Sequence, residues 1–295
     1  MANTQLVRSL IDAGVHFGHR TSRWNPKMKP YIYGKRNLIH IIDVRETLKG
    51  ILAAQRFLKA LVGSGRDVLL VGTKRQARAV IDDVGKLTGM PVVTERWLGG
   101  TLTNYRTIRS RLKRLEELES TLQSPDVNKK FSKKMESSLK REYRKILRNL
   151  AGIRTMDRLP GAIFVVDVRR EVIAIQEARK LHIPVIGIID TDSDPDMVDI
   201  AIPANDDALR AIDLVLKEIA DAVLEGKSGR VAKEEIDRAK EGRPDGRTEA
   251  RTERPRGRPR RDSHAAEKPA AAAETPAAAP ATDSPPAEAQ PAVNG

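Results

Sequence analysis

The feature that most constrains the fold is a series of short, uninterrupted apolar runs separated by helical patterns. The runs cover residues 38–42, 68–71, 91–93, 162–166 and 184–189, and a further short run covers residues 200–202. Strands without polar alternation are buried on both faces, and helices between them supply the crossovers that parallel pairing requires. The pattern predicts an α/β fold, a parallel five-stranded sheet covered by helices on both faces. The last helix is predicted from about Asp206 to Leu224.

Residues 101–150 have a different pattern, with apolar side chains spaced three or four residues apart. The first series comprises Ile108, Leu112, Leu115, Leu118 and Leu122, and the second comprises Phe131, Met135, Leu139, Tyr143, Ile146 and Leu150. Ser124-Pro125-Asp126 separates them. Narrow apolar seams on otherwise charged helices predict a helical hairpin that protrudes from the sheet domain.

The segment 227–295 is poor in large apolar residues and rich in Arg, Pro and Ala. Such a composition buries too little apolar surface to offset the entropy lost on ordering. We therefore expect a disordered tail. The sequence thus divides into residues 1–36, an α/β domain formed by 37–100 and 151–226, the hairpin 101–150 and the tail 227–295.

The charge is strongly basic and unevenly placed. The net charge is +13 and the isoelectric point is about 10.0. Residues 1–60 hold 11 basic and 3 acidic side chains, residues 101–150 hold 14 and 6, and residues 151–226 hold 8 and 15. Two concentrated basic segments indicate a polyanionic partner, either nucleic acid or an anionic membrane surface.

Several classes of protein are disfavoured. No apolar run of 18 residues predicts a membrane span, and the first residues do not resemble a signal peptide. The absence of cysteine excludes disulfides and thiolate chemistry, and it suits a cytoplasmic protein. We expect no membrane partner and no homo-oligomer.

The segment from Gly18 to Asn37 interleaves basic residues with aromatic ones between prolines and glycines. Basic side chains neutralise phosphates and aromatic rings stack on splayed bases, so residues 1–36 are predicted to carry a basic N-terminal helix and an RNA-contacting loop. The alternative is an ordinary surface loop anchored by its aromatics. The candidate RNA-binding residues here are Arg20, Arg23, Trp24, Lys27, Lys29, Lys35 and Arg36.

Two further segments are candidate RNA contacts. One follows the strand at 68–71, and the other surrounds the glycine pair Gly99-Gly100 that precedes the hairpin. Helix starts and glycine turns allow close approach of a phosphate, although a tight connection into the hairpin explains the glycines equally well. The candidate residues are Lys74, Arg75, Arg96, Trp97, Asn104, Arg106 and Arg109.

A candidate metal site consists of His19, Asp190 and Asp206. Asp190 ends one apolar run and Asp206 is the predicted cap of the next helix, so both are expected at the carboxyl edge of the sheet. One histidine with two carboxylates suits zinc or magnesium. The alternatives are an ordinary turn, an ordinary helix cap and a histidine that bonds to backbone.

An enzyme on the same fold is the main functional alternative, acting on a nucleotide or phosphorylated substrate. The carboxylates near Asp190 lie where such an enzyme binds its ligand, which is the best feature of this hypothesis. However, Val71-Gly72-Thr73-Lys74 lacks the spacing of a phosphate loop, and no dinucleotide motif follows any strand. We therefore predict a non-catalytic protein with no required cofactor.

The sequence closely resembles the bacterial small-subunit ribosomal protein two family. The matching stretches lie within residues 5–225 and comprise Ala13 to His19, Trp24 to Met28, Val71 to Lys74, Arg96 to Asn104, and Ser193 to Pro195. The resemblance implies a parallel five-stranded α/β domain with a protruding hairpin. It also implies a structural role in the cytoplasmic ribosome, contact with small-subunit rRNA and neighbouring proteins, and docking of ribosomal protein one for mRNA capture in translation. The tail departs from the family pattern, so the resemblance implies nothing about its role.

Overall fold

The computed structural model describes residues 2–124 and 131–241, with side chains described for 4–124 and 131–231. In chain order the strands are β1 (Phe17–Arg20), β2 (Ile32–Arg36), β3 (Ile39–Ile42), β4 (Val68–Val71), β5 (Val92–Val93), β6 (Ala162–Val166), β7 (Val185–Ile189) and β8 (Ile200–Pro203). The α-helices are α1 (Ala2–Asp12), α2 (Val44–Gly63), α3 (Arg75–Thr88), α4 (Tyr105–Gln123), α5 (Lys133–Leu150), α6 (Val172–Lys180) and α7 (Leu209–Glu241). Within these ranges no helix combines the length and the apolar character needed to cross a membrane.

A five-stranded parallel sheet forms the centre of the fold, in the order β5-β4-β6-β7-β8. Successive residues of β4 point to opposite faces, so Val68 and Leu70 join one apolar cluster while Leu69 and Val71 join another. Helices α2, α3 and α7 cover the first face, whereas α6 and the root of the hairpin cover the second. The predicted α/β class and five-stranded parallel sheet are confirmed.

The assignment of residues 38–42 to this sheet is wrong, because β8 supplies the fifth strand. Strand β3 lies instead in a separate antiparallel sheet, in the order β1-β3-β2. The pairing is local: Asn37 and Leu38 form the turn between β2 and β3 with φ of 50° and 61°. The segment interpreted as a loop therefore contains two strands, with 3-10 turns at Thr21–Arg23 and Pro26–Tyr31 between them.

Helices α4 and α5 form the predicted hairpin, and its root is part of the core. Ile108, Leu112 and Leu150 are buried in the apolar cluster on the second sheet face. Farther out, Leu115 and Leu118 are buried on α4, but Met135 on α5 is 52% exposed. The predicted break at Ser124-Pro125-Asp126 falls mostly outside the described residues.

Helix α7 is longer than predicted and continues past Gly226 to Glu241. Lys227 Nζ donates a hydrogen bond to the Thr88 carbonyl, which anchors the first residue of the predicted tail to α3. Propagating an existing helix through residues such as Ala, Lys, Glu and Arg costs little. The tail boundary at residue 227 was therefore wrong, and the disorder predicted beyond residue 241 lies outside the described residues.

Candidate nucleic-acid interface

Five exposed basic side chains surround the three-stranded sheet. Arg20 on β1 and Arg36 on β2 flank Ile39 of β3, and Lys35 lies opposite His40. Arg23 and Lys29 come from the intervening 3-10 turns. Among the described residues none of the five has an acidic partner, so their charges face solvent. We call these five residues the basic patch: Arg20, Arg23, Lys29, Lys35 and Arg36.

Trp24 lies beside this patch, with its ring centroid 5.0 Å from that of His40 and the planes tilted by 40°. Both rings line a surface pocket of about 230 Å³, together with Lys29, Ile32, Gly34 and Lys35. His40 is only 9% exposed. Neither of its ring nitrogens has a hydrogen-bond partner among the described residues.

Lys27 belongs to the same segment but is engaged differently. Its Nζ lies 2.8 Å from Asp194 Oδ2 and 2.6 Å from Asp196 Oδ2, beyond the end of β7. The hydrogen bonds that Lys27 donates to these two carboxylates raise its pKa. We conclude that Lys27 fastens the basic segment to the parallel sheet domain and has less free charge for a phosphate.

The backbone also ties the segment to this sheet edge. The amide of His19 donates to Thr191 Oγ1 at 2.9 Å, and the amide of Asn25 donates to the Thr191 carbonyl at 2.8 Å. Gly18 permits this approach, since a Cβ there would lie 2.6 Å from Thr191 Cγ2. Position and orientation of the basic patch are therefore fixed by the loop after β7.

Five aspartates form an acidic cluster at the carboxyl edge: Asp167, Asp190, Asp192, Asp206 and Asp207. Lys74 Nζ lies 2.7 Å from Asp206 Oδ1, 2.6 Å from Asp207 Oδ1 and 3.6 Å from Asp167 Oδ2. Its side chain is 12% exposed. Lys74 therefore neutralises the cluster from within and has little free charge for a phosphate, and its RNA contact stays a prediction.

His19 contacts the other side of the acidic cluster. Its Nδ1 lies 3.1 Å from Asp190 Oδ2, and its Nε2 lies 3.5 Å from Asp207 Oδ2. The direction of the first contact is poor for a hydrogen bond, so its attraction is mainly electrostatic. Interaction with Asp190 outweighs burial and raises the pKa of His19 to about 9.

Asp206 is the most perturbed acid of the cluster. Burial, together with the charges of Asp190 and Asp167, raises the pKa of Asp206 to about 7, although Lys74 opposes the shift. Burial alone would lower the pKa of Lys74, but the hydrogen bond and charge of Asp206 outweigh it and raise that pKa. The prediction that Asp206 caps the next helix is wrong, since Asn205 Oδ1 accepts from the amides of Asp207 and Ala208.

The predicted metal ligands His19, Asp190 and Asp206 do meet at one edge. His19, Asp206 and Asp207 also place one ligand atom each within 4.8 Å of one another. Lys74 pairs with the Oδ1 atoms of Asp206 and Asp207, so a divalent ion bound to these two oxygens must displace or share this ammonium group. The donor set suits zinc or magnesium, and the metal stays a prediction.

Trp97 is not available to stack on a base. It is 7% exposed, packs in the core of the second sheet face, and donates from Nε1 to Glu177 Oε1 at 3.1 Å. Glu177 is also buried and accepts hydrogen bonds from the amides of Gly100, Leu102 and Thr103. The RNA contact of Trp97 stays a prediction that its burial does not favour, and the glycine pair belongs to a loop built around Glu177.

The remaining predicted contacts lie apart from the basic patch. Arg75 begins α3, Arg96 precedes the glycine pair, and Asn104 and Arg106 lie at the start of α4, all exposed. Arg109 Nη1 pairs with Asp157 Oδ1 at 2.7 Å. These five residues stay predicted RNA contacts.

Sequence reasoning missed the contributions of His40, Asp207 and Glu177. His40 lies within an apolar strand, where only the pairing of β3 with β2 reveals its neighbours. Asp207 follows Asp206 directly in the sequence, and two adjacent aspartates could have indicated that both bind the same cation. Glu177 lies on α6, 74 residues or more from the loop whose amides it binds, so no local pattern connects them.

Comparison with known proteins agrees with this architecture. The family model described as Ribosomal protein S2 matches residues 10–226. A relative from Rhodopirellula baltica, named small ribosomal subunit protein uS2, is 56% identical over 227 residues, which cover 77% of this chain and 86% of the relative. A protein of the same name from Syntrophobacter fumaroxidans is 48% identical over 235 residues, covering 80% and 85% respectively. The chain therefore belongs to the ribosomal protein S2 family, whose members are structural ribosomal proteins and not enzymes.

Proposed function

We propose that this ribosomal protein is a structural component of the small subunit and binds small-subunit rRNA through the basic patch. The observation that carries the proposal is the contrast in pairing among its cations. Arg20, Arg23, Lys29, Lys35 and Arg36 are exposed without acidic partners among the described residues, whereas Lys27 and Lys74 are held by carboxylates. Free cations gain most from phosphate contact because no internal ion pair has to be broken.

The attachment of the patch to the sheet domain supports the same function. Thr191 and the Lys27 ion pairs hold the basic segment in a defined position, so its cations do not have to be ordered on binding. Contacts to phosphate fix register and orientation on RNA without reading sequence. Such contacts suit a structural protein that recognises the shape of one folded RNA.

Filter binding of the full chain to small-subunit rRNA tests the proposal. The variant R20A/R23A/K29A/K35A removes four unpaired cations, and we expect affinity to fall at least about 100-fold at ~0.1 M salt. The variant K49A/K59A/K86A/K217A is the matched control, since it removes the same charge from lysines that pair with surface acids. Equal losses in both variants would show that net charge, and not the basic patch, carries binding.

We also propose that the chain helps dock ribosomal protein one for mRNA capture. Two large apolar side chains near the junction of α1 and β1, Ile11 and Phe17, are 47% and 49% exposed. Exposed apolar side chains of this kind suit a protein contact. Purified subunits carrying I11E/F17E should incorporate this chain but lack ribosomal protein one, while L87E on α3 should retain it. Full retention in I11E/F17E would contradict this docking surface.

A further inference from the structure

The pocket at Trp24 and His40 has the composition of a site for a single RNA base. Its lining comprises the rings of Trp24 and His40, Ile32 and Gly34, and two exposed lysines at the rim, Lys29 and Lys35. Its volume of about 230 Å³ is below the ~300–1,000 Å³ usual for whole cofactors or drug-sized ligands. An apolar slot with two cations at its rim matches a flat base attached to an anionic backbone.

His40 provides an independent observation that points to a ligand. The side chain is more than nine-tenths buried, yet Nδ1 and Nε2 have no hydrogen-bond partner among the described residues. Leaving buried polar atoms unpaired is costly, so native proteins rarely tolerate it without a functional or solvent partner. An imidazole offers both a donor and an acceptor when neutral, which is what the edge of a base requires.

The position of Lys35 relative to His40 is set by strand pairing. The two residues are direct cross-strand partners in the β2–β3 register, so their side chains leave the same face of the sheet. Lys29 reaches the pocket from the 3-10 turn Pro26–Tyr31, which follows Trp24. Neither lysine has an acidic partner among the described residues, so both charges are available at the rim.

We infer that this pocket binds one unpaired base of small-subunit rRNA, stacked on Trp24 and hydrogen-bonded to His40, with the adjoining phosphates held by Lys29 and Lys35. The inference rests on the proposed function, because it assigns one nucleotide of the bound RNA to a defined site. It adds a contact that reads a base to a surface otherwise built from phosphate contacts. A phosphate-only surface would need neither the ring nor the imidazole.

Tryptophan fluorescence tests the pocket directly. The chain has two tryptophans, and Trp97 is buried beside Glu177, so a stacked base should quench only Trp24. We expect small-subunit rRNA to quench the wild-type chain, and W24F to bind RNA without that quenching. Nucleoside monophosphates at the same base concentration form a second arm, which we expect to leave the fluorescence unchanged.

Substitution of His40 separates recognition from folding. We expect H40L to lose about tenfold in rRNA affinity while its thermal midpoint does not fall, because leucine removes the unpaired polar atoms. A purely structural histidine would show the opposite, with a lower midpoint and unchanged affinity. Circular dichroism checks that both variants are folded.

The outcomes distinguish this inference from the proposed function. Tight rRNA binding without quenching, or with unchanged affinity in H40L, would overturn the base pocket and leave phosphate-mediated binding intact. Quenching by the monophosphates at micromolar concentration would replace rRNA with a free nucleotide as the ligand and so overturn the inference. Failure of the wild-type chain to bind rRNA at all would overturn the proposed function and the inference together.

Discussion

The antiparallel sheet and the carboxyl edge of the parallel sheet both present basic side chains, and they use them in opposite ways. In the basic patch, Arg20, Arg36 and the other cations face solvent without acidic partners among the described residues. At the carboxyl edge, Lys74 and His19 are surrounded by the acidic cluster. Under the proposed function, a basic residue is expected to contact RNA only when its charge has not already been neutralised within the fold.

The largest effect that separates the two regions is expected from Lys74→Met. Removing the ammonium group leaves Asp206 and Asp167 without their cation, and we expect about 3 kcal/mol less unfolding free energy, measured by urea titration. RNA affinity should stay unchanged because Lys74 is internal. Lys49→Met, which breaks a surface pair, is the control and should cost less than about 0.5 kcal/mol. A tenfold loss of RNA affinity in Lys74→Met without destabilisation would make Lys74 part of the RNA interface.

Glu177→Gln is expected to cost about 2 kcal/mol, because an amide replaces one of the two acceptor oxygens that bind the loop from Trp97 to Thr103. Burial would raise the pKa of Glu177, but hydrogen bonds from Gly100 and Leu102 outweigh it and lower that pKa. A depressed folded pKa stabilises the protein above the unfolded value and loses this effect as pH falls through the folded value. The unfolding free energies of wild type and Glu177→Gln should therefore converge as the pH is lowered. A difference between them that stays constant down to the lowest pH would contradict this explanation.

The predicted metal gives a third test of the carboxyl edge. At zinc tenfold above its dissociation constant, we expect a gain of about 1.4 kcal/mol in unfolding free energy for the wild-type chain. The gain should be larger in Lys74→Met, where the competing ammonium group is absent, and should vanish in His19→Ala. Elemental analysis of purified protein supplies the second readout. The prediction of a metal site fails if the purified protein holds less than about a tenth of an equivalent of zinc and zinc leaves the unfolding free energy of all three proteins unchanged.

Truncation tests whether the end of α7 belongs to the α/β domain. Ending the chain after Gly226 removes the hydrogen bond from Lys227 to Thr88, and we expect a loss of about 1 kcal/mol. Ending it after Glu241 should leave the thermal midpoint unchanged. Equal midpoints for both truncations would restore residue 227 as the start of the tail.

The sequence predicted the parallel sheet well because its strands are continuous apolar runs, which have few alternatives in a chain of this length. It misplaced residues 38–42 because an apolar run does not reveal its partner strand, and a two-residue turn paired β3 with β2 instead. Periodicity likewise predicted the hairpin seam but not that Ile108 and Leu112 pack into the sheet core.

Only those parts of the candidate site that depend on local amino-acid composition or on the position of strand ends could be predicted from the sequence. The cluster of Arg and Lys between Gly18 and Asn37 indicated RNA before any geometry was known, and strand ends brought His19, Asp190 and Asp206 to one edge. Burial and pairing were not readable from the sequence. Trp97 and Lys74 were assigned to RNA for that reason, although one packs in the core and the other neutralises aspartates.

The most direct test of the account is the salt dependence of rRNA binding by the full chain. A plot of log affinity against log salt should be steep for wild type and for K49A/K59A/K86A/K217A. In R20A/R23A/K29A/K35A the slope should be shallower by about 3, since four phosphate contacts and their released counterions are lost. If R20A/R23A/K29A/K35A instead shows the same slope as K49A/K59A/K86A/K217A, the result contradicts the claim that the unpaired cations of the antiparallel sheet form the RNA interface.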